Sequence, residues 1–162
     1  MKDAEVLSKV RIFLREEGII IPKGPIKEFY SQLIKLSGFG IGGLLVFSGK
    51  KAGKMAGAYI KNIAGEINPT IEKVVPYVCA FLEETGICKV EEYNVSNSHI
   101  LFRVRNSIFA QGVESKKPVC MPLSGAMAGV FEEVTGKEWD CREIECQAQG
   151  KERCVFEIRL KY

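Results

Sequence analysis

The sequence predicts an α+β fold: about five helices packed on an antiparallel sheet made of two hairpins, with one helix inserted between the hairpins. Three observations predict it. Apolar residues recur at helical spacing in four segments before Gly86, and in a fifth over residues 118–135. Two short stretches rich in β-formers, Cys88–Val95 and Ile100–Val104, are joined by the turn residues Ser96–Ser98. A second such pair, Trp139–Ala148 and Arg153–Leu160, turns at Gly150.

In chain order, Val6, Val10, Phe13 and Leu14 share a helical face, and Gly18 stops that helix. Pro25 opens a second helix with Ile26, Phe29, Tyr30 and Leu33 inward. Gly38–Gly43 reads as a flexible joint and Leu44–Phe47 as a short strand or buried turn. Residues 49–64 read as a third helix whose apolar face is Ala52, Met55, Ala56, Tyr59, Ile60 and Ile63. Gly49, Gly53 and Gly57 lie on a neighbouring face, every fourth residue. Glycine inside a helix costs about 1 kcal/mol against alanine. The repeat therefore calls for a close neighbour, either another helix or a ligand, and helix packing is the reading preferred.

Asn68 and Pro69 start a fourth helix, with Ile71, Val74, Val75, Val78 and Leu82 inward. Leu123, Met127, Val130, Phe131 and Val134 line the inner side of the fifth, and Gly125 and Gly129 repeat the small-residue spacing. The chain is expected to form one domain, 1–162, with a helical part at 1–37 and a ligand-binding α+β core at 38–162.

With 162 residues, 46% hydrophobic and 27% charged, the composition is that of a globular domain. A net charge of +3 gives no case for direct nucleic-acid binding. The N-terminal segment has no signal-peptide pattern, and Ile41–Phe47 is too short an apolar run to span a bilayer. The expected compartment is the cytoplasm, where thiols stay reduced, so six cysteines need an explanation other than disulfides.

Folded about Gly150, the last hairpin sets Cys146 across from Cys154, on the face that also carries Ile144, Phe156, Ile158 and Leu160. Two thiols there can be inert packing, a disulfide, or half of a metal site. Cys120, at the start of the fifth helix, is placed where a thiolate is favoured. Glu143 precedes Cys146 by three residues, an offset that points it to the opposite face unless a bulge intervenes. The spacing matches no standard zinc finger, and taken alone it leaves zinc and buried free thiols both open. Cys79 and Cys88 read as packing, and Cys141 as a residue of the outer face.

The run CMPLSGAMAGVFEEVTGKEWDCREIECQAQGKERCVFE, from Cys120 to Glu157, resembles the 4-vinyl-reductase-like domain family. Its Cys120, Gly125, Gly129, Gly136, Glu143, Cys146, Gly150, Cys154 and Phe156 match the family pattern in order. The resemblance implies one structural zinc per chain, held by Cys120, Glu143, Cys146 and Cys154. It also implies a homodimer and an apolar interior pocket for a hydrophobic small molecule. The family includes sensory domains of phenol-responsive transcription activators, and its fold is similar to that of trafficking (TRAPP) subunits and haem nitric-oxide-binding domains.

Met55, Tyr59, Ile63, Val78, Phe102 and Met127 are the expected pocket lining, although residues at helical spacing are more often plain core. The leading functional expectation is a sensor or carrier domain. The alternatives are a reductase acting on a vinyl group of a tetrapyrrole-like substrate and a protein-interaction platform. An enzyme is disfavoured. GFGIGG (38–43) follows a helix and not a strand, so it fails as a dinucleotide motif. No catalytic residue is assigned, and the single histidine, His99, reads as a turn residue with no haem partner.

Overall fold

A computed structural model describes residues 3–162, with Phe39 described in its backbone only. The helices are α1 (Ala4–Glu17), α2 (Lys23–Ser37), α3 (Gly42–Ala64), α4 (Ile71–Glu84) and α5 (Met121–Thr135). The strands are β1 (Lys89–Val95), β2 (His99–Arg105), β3 (Trp139–Glu145) and β4 (Cys154–Leu160). They form one antiparallel sheet in the order β1-β2-β4-β3, so the two hairpins meet edge to edge along β2 and β4. This is the α+β architecture the sequence predicts, with α5 between the hairpins.

The sheet has one packed face. Ile100, Phe102 and Val104 of β2 and Phe156 and Ile158 of β4 are fully buried there, while the alternate residues Arg103, Arg105, Glu157 and Arg159 carry ion pairs. Helix α5 packs against β3 and β4 on one side and against α3 on the other. Its inner residues Leu123, Met127, Val130, Phe131 and Val134 are all buried as expected, as are Ile71, Val74, Val75, Val78 and Leu82 of α4. No described helix is long and apolar enough to cross a membrane.

Three local expectations are corrected. Gly38–Ile41 is a 3-10 turn that runs straight into α3, so Leu44–Phe47 is helix and not strand. In α2 the buried residues are Tyr30, Ser31 and Ile34, whereas Phe29 is exposed. Tyr30 sets this rotation: its hydroxyl donates to the Val119 carbonyl at 2.5 Å and its ring meets Phe109 edge-on.

The third correction concerns α3. Its buried face is the glycine face, Gly49, Gly53 and Gly57 with Ile60, and the apolar stripe containing Met55 and Tyr59 is turned outward. A Cβ added at Gly53 would lie 2.7 Å from the Cα and carbonyl carbon of Ala126. Gly49 faces the Pro122 backbone in the same way, and Gly125 and Gly129 of α5 face the backbone at Val46 and Lys50. The two helices interlock backbone to backbone, which is the helix-packing reading of the glycine repeat.

This close pair is edged by charge. Lys50 and Lys54 reach Glu132 at 2.6 and 3.0 Å, and Lys61 reaches Glu133 at 2.7 Å. Burial alone would raise the Glu132 carboxyl, but Lys50, Lys54 and the Trp139 backbone N–H outweigh it and hold it below its ordinary value. A group depressed in the folded state stabilises fully above its unfolded pKa and loses that contribution as pH falls through the folded one. Melting temperature is therefore expected to fall more steeply below about pH 4.5 in the native chain than in Glu132→Gln, a difference that thermal melts between neutral and acid pH will read.

Candidate metal centre

The four residues singled out in the sequence converge. Cys120 stands at the N-cap of α5, ahead of Pro122 in its first turn. Cys154 opens β4, and Cys146 leaves β3 just before a 3-10 turn at Gln147–Gln149 and the left-handed Gly150 (φ 79°). Glu143 reaches the same side because β3 is bulged. Glu143 pairs with Phe156 and Glu145 with Val155, leaving Ile144 as the extra residue. That insertion brings Glu143 and Cys146 to one face and turns Ile144 outward, where it is exposed. It also corrects the expectation for Cys141, which lies on the buried face opposite Ile158.

The donor atoms of Cys120, Glu143, Cys146 and Cys154 all lie within 4.8 Å of one another. Cys146 Sγ is 4.0 Å from Cys120 Sγ and 3.8 Å from Cys154 Sγ. A disulfide needs about 2.0 Å, whereas two thiolates on one tetrahedral zinc, each about 2.3 Å from the metal, stand about 3.8 Å apart. The three sulfurs are fully buried. Glu143 Oε2 accepts the Cys120 backbone N–H at 2.8 Å, but Oε1 is buried with no hydrogen-bond partner. An orphaned carboxylate oxygen beside three thiols is what a missing cation leaves behind. Together these residues form a donor set able to hold one metal ion.

The electrostatics agree. Burial first, and then the neighbouring Cys146, push the Glu143 carboxyl up to about 8. Burial likewise drives Cys120 well above its ordinary value, while hydrogen bonds from Cys120 and Cys154 favour a thiolate at Cys146. Four acids this close cannot all ionise without a cation among them.

Polar groups around the cluster brace it. The buried Ser107 hydroxyl lies 3.2 Å from Cys120 Sγ, and the Gln147 backbone N–H donates to Cys154 Sγ at 3.3 Å. Asn106, in the left-handed region at φ 57°, donates its backbone N–H to the Gln147 side chain, tying the Ser107 loop to the Cys146 turn. Ser107 carried no sequence signal, since it is thirteen residues from Cys120 on an irregular loop. Ser107→Ala is expected to weaken metal affinity roughly 10-fold or more without unfolding the chain, as read by competition with a chelating dye.

The expected pocket residues are spread through the structure. Val78, Phe102 and Met127 are packed core, Ile63 is half-buried, and Met55 and Tyr59 are 60% and 39% exposed on α3. Tyr59 stacks against Phe13 of α1 at 4.8 Å. A cavity of about 270 Å³ lies elsewhere, between α1, α4 and β1. Val6, Leu7, Pro76, Cys79, Ala80, Val90 and Tyr93 line it, and Asp3, Glu83, Glu91 and Glu92 rim it. His99 sits on the sheet beside Glu157 at 3.2 Å, and Trp139 is core, its indole N–H donating to Thr135.

Residues 100–160 match the 4-vinyl-reductase domain. The matched segment spans β2, α5, β3 and β4 and holds all four donors, and it bears out the family resemblance of the sequence. An uncharacterised protein of Methanocaldococcus jannaschii is 39% identical over 49 residues, a stretch that is 30% of this chain and 30% of that relative. The match thus spans under a third of the curated relative's length.

Among solved structures, the phenol-responsive sensory domain of the transcription activator PoxR superposes with a TM-score of 0.75 at 17% identity, covering 98% of this chain and 91% of that one. A trafficking protein particle complex subunit 3 from Naegleria fowleri, covalently bound to palmitic acid, gives 0.66 at 17% identity over 86% and 95%. A vinyl-4-reductase family protein from M. jannaschii gives 0.56 at 21% identity over 98% and 94%. At these identities the likeness establishes the fold, in which the domain match and the donor cluster are set.

Proposed function

We propose that this 4-vinyl-reductase-like chain is a small-molecule-binding domain, a sensor or carrier, whose C-terminal half is stapled by one structural zinc. The single observation that carries the metal reading is the cluster of three buried thiols and one orphaned carboxylate oxygen. Soft thiolates favour zinc over magnesium or calcium, and a full set of four protein donors leaves no open position for a substrate. Zinc here would neutralise the thiolates and fix the start of α5 to the β3–β4 turn. Cys120, Glu143, Cys146 and Cys154 hold it, and Ser107 and Gln147 orient two of the sulfurs.

The ligand reading is supported by the likeness to a phenol-responsive domain together with the cavity between α1, α4 and β1. Its apolar floor suits a compact hydrophobic molecule of about one ring or a short chain. Its acidic rim is already engaged: Glu91 and Glu92 pair with Arg105, Arg103 and Arg153, and Glu83 accepts the Val90 N–H. The charge at the mouth is thus spent on the fold.

Thermal shift of the zinc-loaded chain against simple phenols and short fatty acids tests this. A stabilising ligand should lose its effect in Ala80→Phe, which fills the cavity, while zinc content stays unchanged. A panel with no shift, or a shift that Ala80→Phe leaves intact, would overturn the assignment of the cavity.

A further inference from the structure

Helix α3 has two opposite faces, and only one is used within the chain. The glycine face locks onto α5. Half a turn away runs a stripe of Leu44, Phe47, Lys51, Ala52, Met55, Ala58 and Tyr59, all exposed. Leu44, Phe47 and Met55 are 63%, 58% and 60% exposed. Large apolar side chains at this spacing on the outer side of a helix are what a partner buries. We infer that this stripe is the contact between two copies of the chain, packed α3 against α3 in antiparallel fashion about a two-fold axis near Lys51 and Ala52.

Three features select a second copy. The stripe is self-complementary. Reversed about its midpoint, it sets Leu44 of one copy opposite Tyr59 of the other, and Phe47 opposite the small Ala58, as an isologous interface requires. Its charge is satisfied internally. Of the four lysines on α3, Lys50, Lys54 and Lys61 are paired with Glu132 and Glu133 of α5. Lys51 lies over the Phe47 ring at 5.4 Å, and α3 carries no acid. The face offers little for a charged partner to read.

Its size is also sufficient. The large apolar side chains expose on the order of 500 Å², at the upper end of what a monomer leaves open. With the alanines and the Lys51 stem included, the stripe approaches the roughly 800 Å² per partner of a stable interface. Ala52 at the axis lets the helices approach closely.

The inference is independent of the metal and ligand readings, and zinc content measured on the same samples keeps them separate. Sedimentation of the full zinc-loaded chain should give a dimer at about 10 µM, a concentration ordinary dimers withstand. Met55→Lys adds charge beside Lys51 of the other copy, and Ala58→Glu blocks the place of Phe47. Both positions are exposed in the single chain, so both variants should keep their zinc and melt as folded proteins. Each should weaken dimerisation about 100-fold or more, since each change enters a two-fold interface twice. A native chain still monomeric at about 100 µM, or a dimer that tolerates both substitutions, would overturn the inference.

Discussion

Gly53→Ala should lower stability by about 3 kcal/mol or more, although alanine is the better helix former by about 1 kcal/mol. The added methyl would stand 2.7 Å from the Cα and carbonyl carbon of Ala126. Both are backbone atoms, so no side-chain rotation relieves the clash. The helices must separate, and Gly49, Gly57, Gly125 and Gly129, which interlock the same pair, must lose contact with it. In a domain of this size the loss corresponds to a melting temperature about 10 °C lower. Gly43→Ala is the matched control: it lies in the same helix with nothing within 4 Å of the added atom and should change stability by less than about 0.5 kcal/mol. Urea or thermal melts of the two variants decide the matter. Equal effects would mean that propensity, not the backbone interlock, governs α3.

Cys146→Ser is the second large effect expected. Cys146 is the central thiol, 4.0 Å from Cys120 and 3.8 Å from Cys154. Losing it leaves three donors and a hydroxyl that coordinates zinc poorly. A metal present at about a thousand times its dissociation constant stabilises by about 4 kcal/mol, all of which the variant forfeits. Zinc content should fall close to zero and the melting temperature by about 10 °C. Cys141→Ser provides the contrast: Cys141 is just as surely buried in the same hairpin, but it belongs to no donor cluster, so zinc content should not change.

What the sequence disclosed follows from where its signals were local. The fifth helix and the core side of α4 are periodic and end at turn residues, so Leu123 to Val134 and Ile71 to Leu82 are buried as read. The glycine spacing correctly implied close packing. The face of α3 was misjudged for the same reason. Periodicity ranks residues by hydrophobicity, but the glycines needed burial more than Met55 or Tyr59 did, and an apolar stripe facing outward looks in sequence like one facing inward.

In the metal cluster, the hairpin alone could pair Cys146 with Cys154 but could not bring Glu143 to their side. That depended on the bulge at Ile144, which alternation does not announce and only the family pattern implied. The same bulge placed Cys141 on the wrong face. Ser107 and the cavity between α1, α4 and β1 arise from contacts between distant segments and left no mark in any one stretch.

The central claim is the staple, and X-ray absorption at the zinc edge, with metal quantified on the same sample purified without chelator, tests it most directly. The account predicts one zinc per chain with three sulfur neighbours at about 2.3 Å and one oxygen at about 2.0 Å. A chain with well under one zinc, or a metal shell without three sulfurs, would contradict it.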